Sequence, residues 1–370
     1  MSEPLLYVAT RKGLFTALRR DSSWGLDAVA FTGDNCSAVL PDSRDGALYV
    51  ALDHGHFGVK LHRSENNGAS WEEIPAPSYP QDGEEWQDGF GRSVPNSLEM
   101  IWSLEAGHAT RPGQIWCGTV PGALFRSDDR GHSWEMVRGL WDHPLRRKWA
   151  GGGMDYPGIH SICVHPNDPD RLTIAVSCGG VWESSDGGDN WECLGEGWRS
   201  EYLPPEQAGD PAVQDPHRLV QCRAQPERLW VQHHNGIFRS NDGGRRWQEL
   251  RNVAPSVFGF AAAVHPDDPD TAWFVPAIKD EQRIPVDGRV LVTRTRDGGE
   301  SFDILSQGLP QTHAYDLIYR HGLDVDDSGE WLALASTTGS LWISEDQGER
   351  WREVSAHLPP VYAVRFATRP

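Results

Sequence analysis

Apolar residues in this chain come in short runs, cut at close intervals by glycine, proline, asparagine or aspartate, which is the pattern of antiparallel strands joined by tight turns. The clearest set begins Ile159-His-Ser-Ile-Cys-Val164 and turns through His165-Pro-Asn-Asp-Pro-Asp170. It continues as Leu172 to Val176, turns again at Cys178-Gly-Gly180, and ends in Val181 to Ser184. Val264-His-Pro-Asp-Asp-Pro-Asp270 repeats the first turn almost verbatim, and Gln225-Pro-Glu-Arg228 is a shortened version. In each, proline interrupts two apolar strands where a ladder amide is not needed.

Every such set runs into the same motif. A hydroxyl residue is followed two positions on by Asp or Asn, two further by Gly, and seven after the first by an aromatic residue. The copies are Ser64 to Trp71, Ser127 to Trp134, Ser184 to Trp191, Ser240 to Trp247, Thr295 to Phe302 and Ser344 to Trp351. Their acidic or amide positions are Asn66, Asp129, Asp186, Asp242, Asp297 and Asp346. A carboxylate there accepts amide hydrogens from its own turn, the glycine takes a left-handed conformation without a Cβ clash, and the aromatic ring packs on the sheet. These positions are therefore expected to be structural. Calcium binding by the same acids is not expected, because each copy offers too few regularly placed oxygens.

The motif resembles the Asp-box, or bacterial neuraminidase repeat, of sialidases, xyloglucan-cleaving propellers, the sortilin ectodomain and photosystem assembly factors. The resemblance spans nearly the whole chain and implies an all-β, seven-bladed β-propeller of four-stranded blades, with one domain over residues 1–370. Successive motifs start 49 to 63 residues apart, enough for one blade with a longer loop. Six motifs mark six blades. The seventh is expected to join both ends of the chain, with Val361 to Phe366 as innermost strand beside Leu5 to Thr10, Gly13 to Leu18 and Trp24 to Ala30. Six blades with irregular ends, or eight with one degenerate unit, are the alternatives.

Composition removes several functions. The 53 acidic residues outnumber 34 basic ones, a formal charge of −19, so a nucleic-acid partner is not expected. No long apolar run suggests a membrane span, and Met1 to Arg20 lacks the order of a signal peptide. The six cysteines show neither a CxxC pair nor a dense disulfide spacing, so a cytoplasmic setting with free thiols is expected, a Cys163–Cys178 bridge being the alternative. Gly-Gly pairs fall inside the repeated hairpins rather than before helices, and no GxSxG segment occurs, which removes nucleotide-binding and serine-hydrolase readings.

Function is expected on the rim opposite the repeated turns, where long loops and blade turns collect polar chemistry. The ligand-binding candidates are His54, His56, Glu99, Trp141, Asp155, His160, Trp198, His217, His233, His234, Glu281 and Tyr315. Aromatic faces beside carboxylates and imidazoles suit a polar, glycan-like ligand, since a sugar stacks its C–H face while its hydroxyls bond in defined directions. Binding of such a ligand, or of a protein partner, is the main expectation. The alternative is a glycoside-hydrolase-like enzyme using two rim carboxylates drawn from Glu99, Asp142, Asp155, Glu201, Asp215 and Glu281. Sialidase activity is not expected, because the only Arg283-Ile-Pro285 occurs late and inside an inserted turn. No cofactor is expected. No metal is either, for want of an HxxH pair or regular Cys/His spacing within one blade.

Overall fold

The computed structural model describes residues 4–81, 86–152 and 154–368. Seven antiparallel sheets, each with a path of four strands, form a ring: a seven-bladed β-propeller. Blades 1 to 6 begin at Asn35, Met100, Ile159, Pro216, Gly259 and Leu323, and each runs outward from the axis. Blade 5 carries an additional strand, Gln282–Pro285, hydrogen-bonded to the long second strand Ala272–Lys279. Blade 7 is built from both ends of the chain: Val361–Thr368 pairs antiparallel with Pro4–Thr10, followed outward by Gly13–Arg20 and Ser23–Ala30. Closing the ring covers strand edges that would otherwise be left unpaired.

The six repeated turns superimpose in their chemistry. In each, the hydroxyl donates to the Asp or Asn Oδ1 at 2.8–2.9 Å. The same hydroxyl oxygen accepts the glycine amide at 2.8–2.9 Å. Oδ1 also accepts the amide of the residue before the aromatic position, at 2.8–2.9 Å. The glycine sits at φ between +83° and +104°, a region costly to any residue with a Cβ.

Between blades, a second device recurs. Arg63, Arg126, Arg239 and Arg294 each precede a repeat hydroxyl and stand opposite Tyr49, Trp116, Trp230 and Trp273 on the neighbouring strand. Each donates to the carbonyl of the fourth residue in the next blade's turn: Arg130, Gly187, Gly298 and Gln347 respectively. Blade 3 has Glu183 at this position, and there Arg171 links Glu183 to Glu227 of blade 4. Apolar clusters fill the spaces between sheets, anchored by fully buried Trp116, Trp182, Trp230, Trp273 and Trp342. All six cysteines are free, including Cys163 and Cys178.

Candidate functional site

Six of the innermost strands carry a register break at the same end. The breaks leave Ser37, Trp102, His160, His217, Phe260 with Ala261, and Tyr362 outside the regular pairing. A bulge of this kind re-aims a side chain and ends local pairing, here at the rim opposite the repeated turns. Ser37, Trp102 and Tyr362 consequently line a cavity of about 300 Å³ at the mouth of the channel. Its wall also holds Asp53, Tyr319, Arg283 and Arg320. Beside it, the rings of Trp102 and His160 meet at 5.4 Å, and those of His217 and Phe260 stack at 4.5 Å.

Arg320 packs over the Trp102 ring at 4.8 Å and the Phe260 ring at 5.6 Å. It is only 6% exposed, and its Nε and Nη2 have no hydrogen-bond partner among the described residues. Burial lowers its pKa, and the nearby Asp215 opposes that shift.

Asp215 stands just ahead of the blade 4 inner strand. Its backbone carbonyl accepts the His234 amide at 3.0 Å, continuing the register that puts Pro216 opposite His233. Its Oδ1 accepts the Cys178 amide at 3.1 Å and the Ser177 hydroxyl at 3.3 Å. Its Oδ2 lies 3.4 Å from His217 Nε2 and 3.4 Å from His234 Nδ1. Burial would raise the carboxyl pKa, but His217, His234 and Arg320 outweigh it and hold Asp215 well below the usual carboxylate range. For His234, burial would lower the pKa, yet Asp215 more than compensates and moves it upward.

The sequence candidates divide accordingly. His217 and His234 meet at Asp215, while His233 is fully buried behind them, accepts the Asp215 amide on Nε2 at 3.2 Å, and is pushed down to about 3 by burial. His160 is also fully buried, with Nε2 2.8 Å from the Pro216 carbonyl, so it ties two inner strands together. Trp198 is packed between His233 at 5.5 Å and Trp247 at 4.5 Å. Trp141 lines a separate cavity of about 670 Å³, where the Arg146 guanidinium lies 3.4 Å from its ring centre. His54 faces Asp34 at 3.7 Å, and His56 lies against Phe57 at 3.9 Å. Glu99, Asp155, Glu281 and Tyr315 are exposed, with Glu281 paired to Lys279.

Trp102, Tyr319, Arg320, Tyr362 and Asp53 were not among the sequence candidates. The signal that points to Trp102 and Tyr362 is their place at the start of an inner strand, equivalent to His160 and His217. At the far end of the channel a second cavity, about 530 Å³, holds Glu105, Arg218 and Asp324. Burial raises both carboxyl pKa values there, against the pull of Arg365 and Arg218.

No family model matches the chain. It is 23% identical over 347 residues to a probable oligoxyloglucan-reducing end-specific xyloglucanase of Neosartorya fischeri, and 20% identical over 338 residues to such an enzyme of Emericella nidulans. These matches cover 86% of this chain but 38% of each relative. Among solved structures, it is similar to an ancestral GH74 enzyme, with TM-score 0.56 and 15% identity over 90% of this chain and 38% of that one. It is also similar to YCF48 bound to D1 peptide, with TM-score 0.51 and 15% identity over 82% of this chain and 78% of that one. The structural matches agree with the seven-bladed ring.

Proposed function

We propose that this chain takes a glycan into the mouth opposite the repeated turns and acts on it as a glycoside-hydrolase-like enzyme, on a propeller of the Asp-box kind. The curated relatives named as xyloglucanases support the substrate class. The observation that carries the reading is the wall of the mouth cavity, where Trp102, Tyr319 and Tyr362 stand beside Asp53, Arg283 and Arg320. Rings of this kind stack on sugar C–H faces, while the carboxylate and guanidinium groups bond to hydroxyls. Glycosidic hydrolysis uses two carboxylates. Asp53 lies on the wall, and the candidate for the second carboxylate is Asp280, which does not line the cavity but is held 2.6 Å from Nη2 of Arg283, which does.

A reducing-sugar assay over oligosaccharides, xyloglucan fragments included, tests the reading. Asp53→Asn is expected to lower turnover by about 10²–10⁴-fold, the usual range for loss of an acid–base group, with folding intact. Turnover unchanged in Asp53→Asn, or no glycan bound by the native chain, overturns it. A second reading, capture of a peptide in the same mouth, is favoured by one observation: the chain covers 78% of YCF48 but only 38% of the xyloglucanases. Peptide binding that Trp102→Ala abolishes, without glycan turnover, decides for it.

A further inference from the structure

The glycan reading leaves one cluster unused. Asp215, His217 and His234 present one oxygen and two nitrogens that all lie within 4.8 Å of one another. From these atoms we infer that the three residues form a binding site for a divalent first-row transition-metal ion of the zinc class.

The argument begins with the tautomer of His217. Its Nδ1 lies 2.7 Å from the Gly259 carbonyl oxygen, which only accepts, so Nδ1 carries the hydrogen. In the neutral ring the lone pair is then on Nε2, and Nε2 faces the Asp215 Oδ2, another acceptor, at 3.4 Å. Two lone pairs so placed repel unless positive charge lies between them. Metal-ligating histidines characteristically donate their other ring N–H to a carbonyl or carboxylate, and His217 has that arrangement before any metal is added.

The two distances to Asp215 agree with a shared ion, and the two imidazole nitrogens lie within 4.8 Å of each other. Ligands about 2.0–2.1 Å from a tetrahedral centre are about 3.3–3.4 Å apart. Both contacts of Asp215 Oδ2, to His217 Nε2 and to His234 Nδ1, are 3.4 Å. The ligands are also held in place from outside. Ser177 and the Cys178 amide occupy Asp215 Oδ1, leaving Oδ2 for the ion. Phe260 stacks on the His217 ring with a 12° interplanar angle, and Tyr202 meets His234 edge-on at 4.8 Å. Two imidazoles and one carboxylate select zinc, iron(II) or manganese over calcium and magnesium, which take all-oxygen sets. Three protein ligands leave a position open, and Arg320, whose Nε and Nη2 have no hydrogen-bond partner among the described residues, is the nearby charge that favours an anionic oxygen there.

The test uses the full chain and needs no substrate, so its result is independent of whether a glycan is cleaved. After chelator treatment, the protein is titrated calorimetrically with Zn²⁺, and separately with Co²⁺ while visible absorption is followed. One ion per chain is expected, with a Co²⁺ spectrum of nitrogen–oxygen ligation. His234→Ala, at a half-buried position, is expected to bind at least about 100-fold more weakly, and Asp215→Asn likewise. His132→Ala, an exposed imidazole in a repeated turn on the opposite rim, is expected to bind as the native chain does. If Asp215→Asn does not fold, His234→Ala alone decides. Absence of stoichiometric binding, or equal affinity in His234→Ala, overturns the site and leaves an ion-paired Asp–His cluster.

Discussion

On one rim of the ring, six copies of a single turn repeat the same three hydrogen bonds at 2.8–2.9 Å; at the mouth on the other rim, the corresponding bulge position holds Ser, Trp, His, His, Phe or Tyr. Two buried arginines show what separates the rims. Arg294, 2% exposed, has no partner at Nε among the described residues, but both its terminal nitrogens donate, Nη1 to Gln347 and Nη2 to Asp303 and Glu349, joining blades 5 and 6. Arg320, 6% exposed, has Nε and Nη2 unpartnered beside the cavity. A buried guanidinium with its partners supplied stabilises; one without them is a cost to folding that a bound anion or polar ligand offsets. The repeat rim therefore holds the ring together, and the mouth carries groups that folding alone does not require.

The largest expected effect strikes both rims at once. Deleting residues from Val361 onward removes the strand paired with Pro4–Thr10, together with buried Val361, Ala363 and Val364. A loss above about 4 kcal/mol is expected, seen as collapse of the cooperative melt followed by circular dichroism. Next comes Arg294→Met, which removes the buried guanidinium that joins blades 5 and 6; because Trp273 Nε1 still donates to the Gln347 carbonyl and Arg296 still pairs with Glu349, a cost of about 1–3 kcal/mol is expected in denaturant titration. Asp242→Ala should cost about 0.5–2 kcal/mol through its turn while leaving glycan binding at the mouth unchanged; a binding loss without a stability loss would break the comparison.

Arg320→Met sharpens the contrast. Stability is expected to stay within about 1 kcal/mol of the native value or to rise, while affinity for the mouth ligand falls. The smallest effect is in the pH profile. Hydrogen bonds from the Ser301 hydroxyl and amide bring Asp297 down to about 2. Because the folded value is depressed, the unfolded chain binds more protons in this range, so the contribution is complete above the ordinary aspartate value and is lost as pH falls toward 2. Asp297→Asn retains the Oδ1 acceptor, as Asn66 does in blade 1, and should flatten that acid limb.

The repeat rim was legible in the sequence because its bonds are local. Ser, Asp and Gly at fixed offsets leave the backbone little choice, and the truncated units at the two ends implied the shared blade. The arginine links were not read, although Arg63, Arg126, Arg239 and Arg294 each directly precede a motif hydroxyl. Their carbonyl partners belong to the next blade, beyond the reach of turn chemistry. The mouth was read only in part. His217 and His234 were named as candidates, but Asp215 joins them through a strand register, Pro216 opposite His233, that extends one step to Asp215 beside His234. Trp102 and Tyr362 turn inward through bulges, which composition does not announce.

Shared construction of blade 7 has a consequence in time. The strand Pro4–Thr10 leaves the ribosome about 350 residues before its partner Val361–Thr368, which at synthesis rates of about 5–20 residues per second is an interval of roughly 20–70 s. Throughout it, the inner edge of Pro4–Thr10 is without its native neighbour, a ready template for a strand from another nascent chain. Production of this protein should accordingly respond to chaperone supply and growth temperature more strongly than the equilibrium stability of the finished ring would suggest.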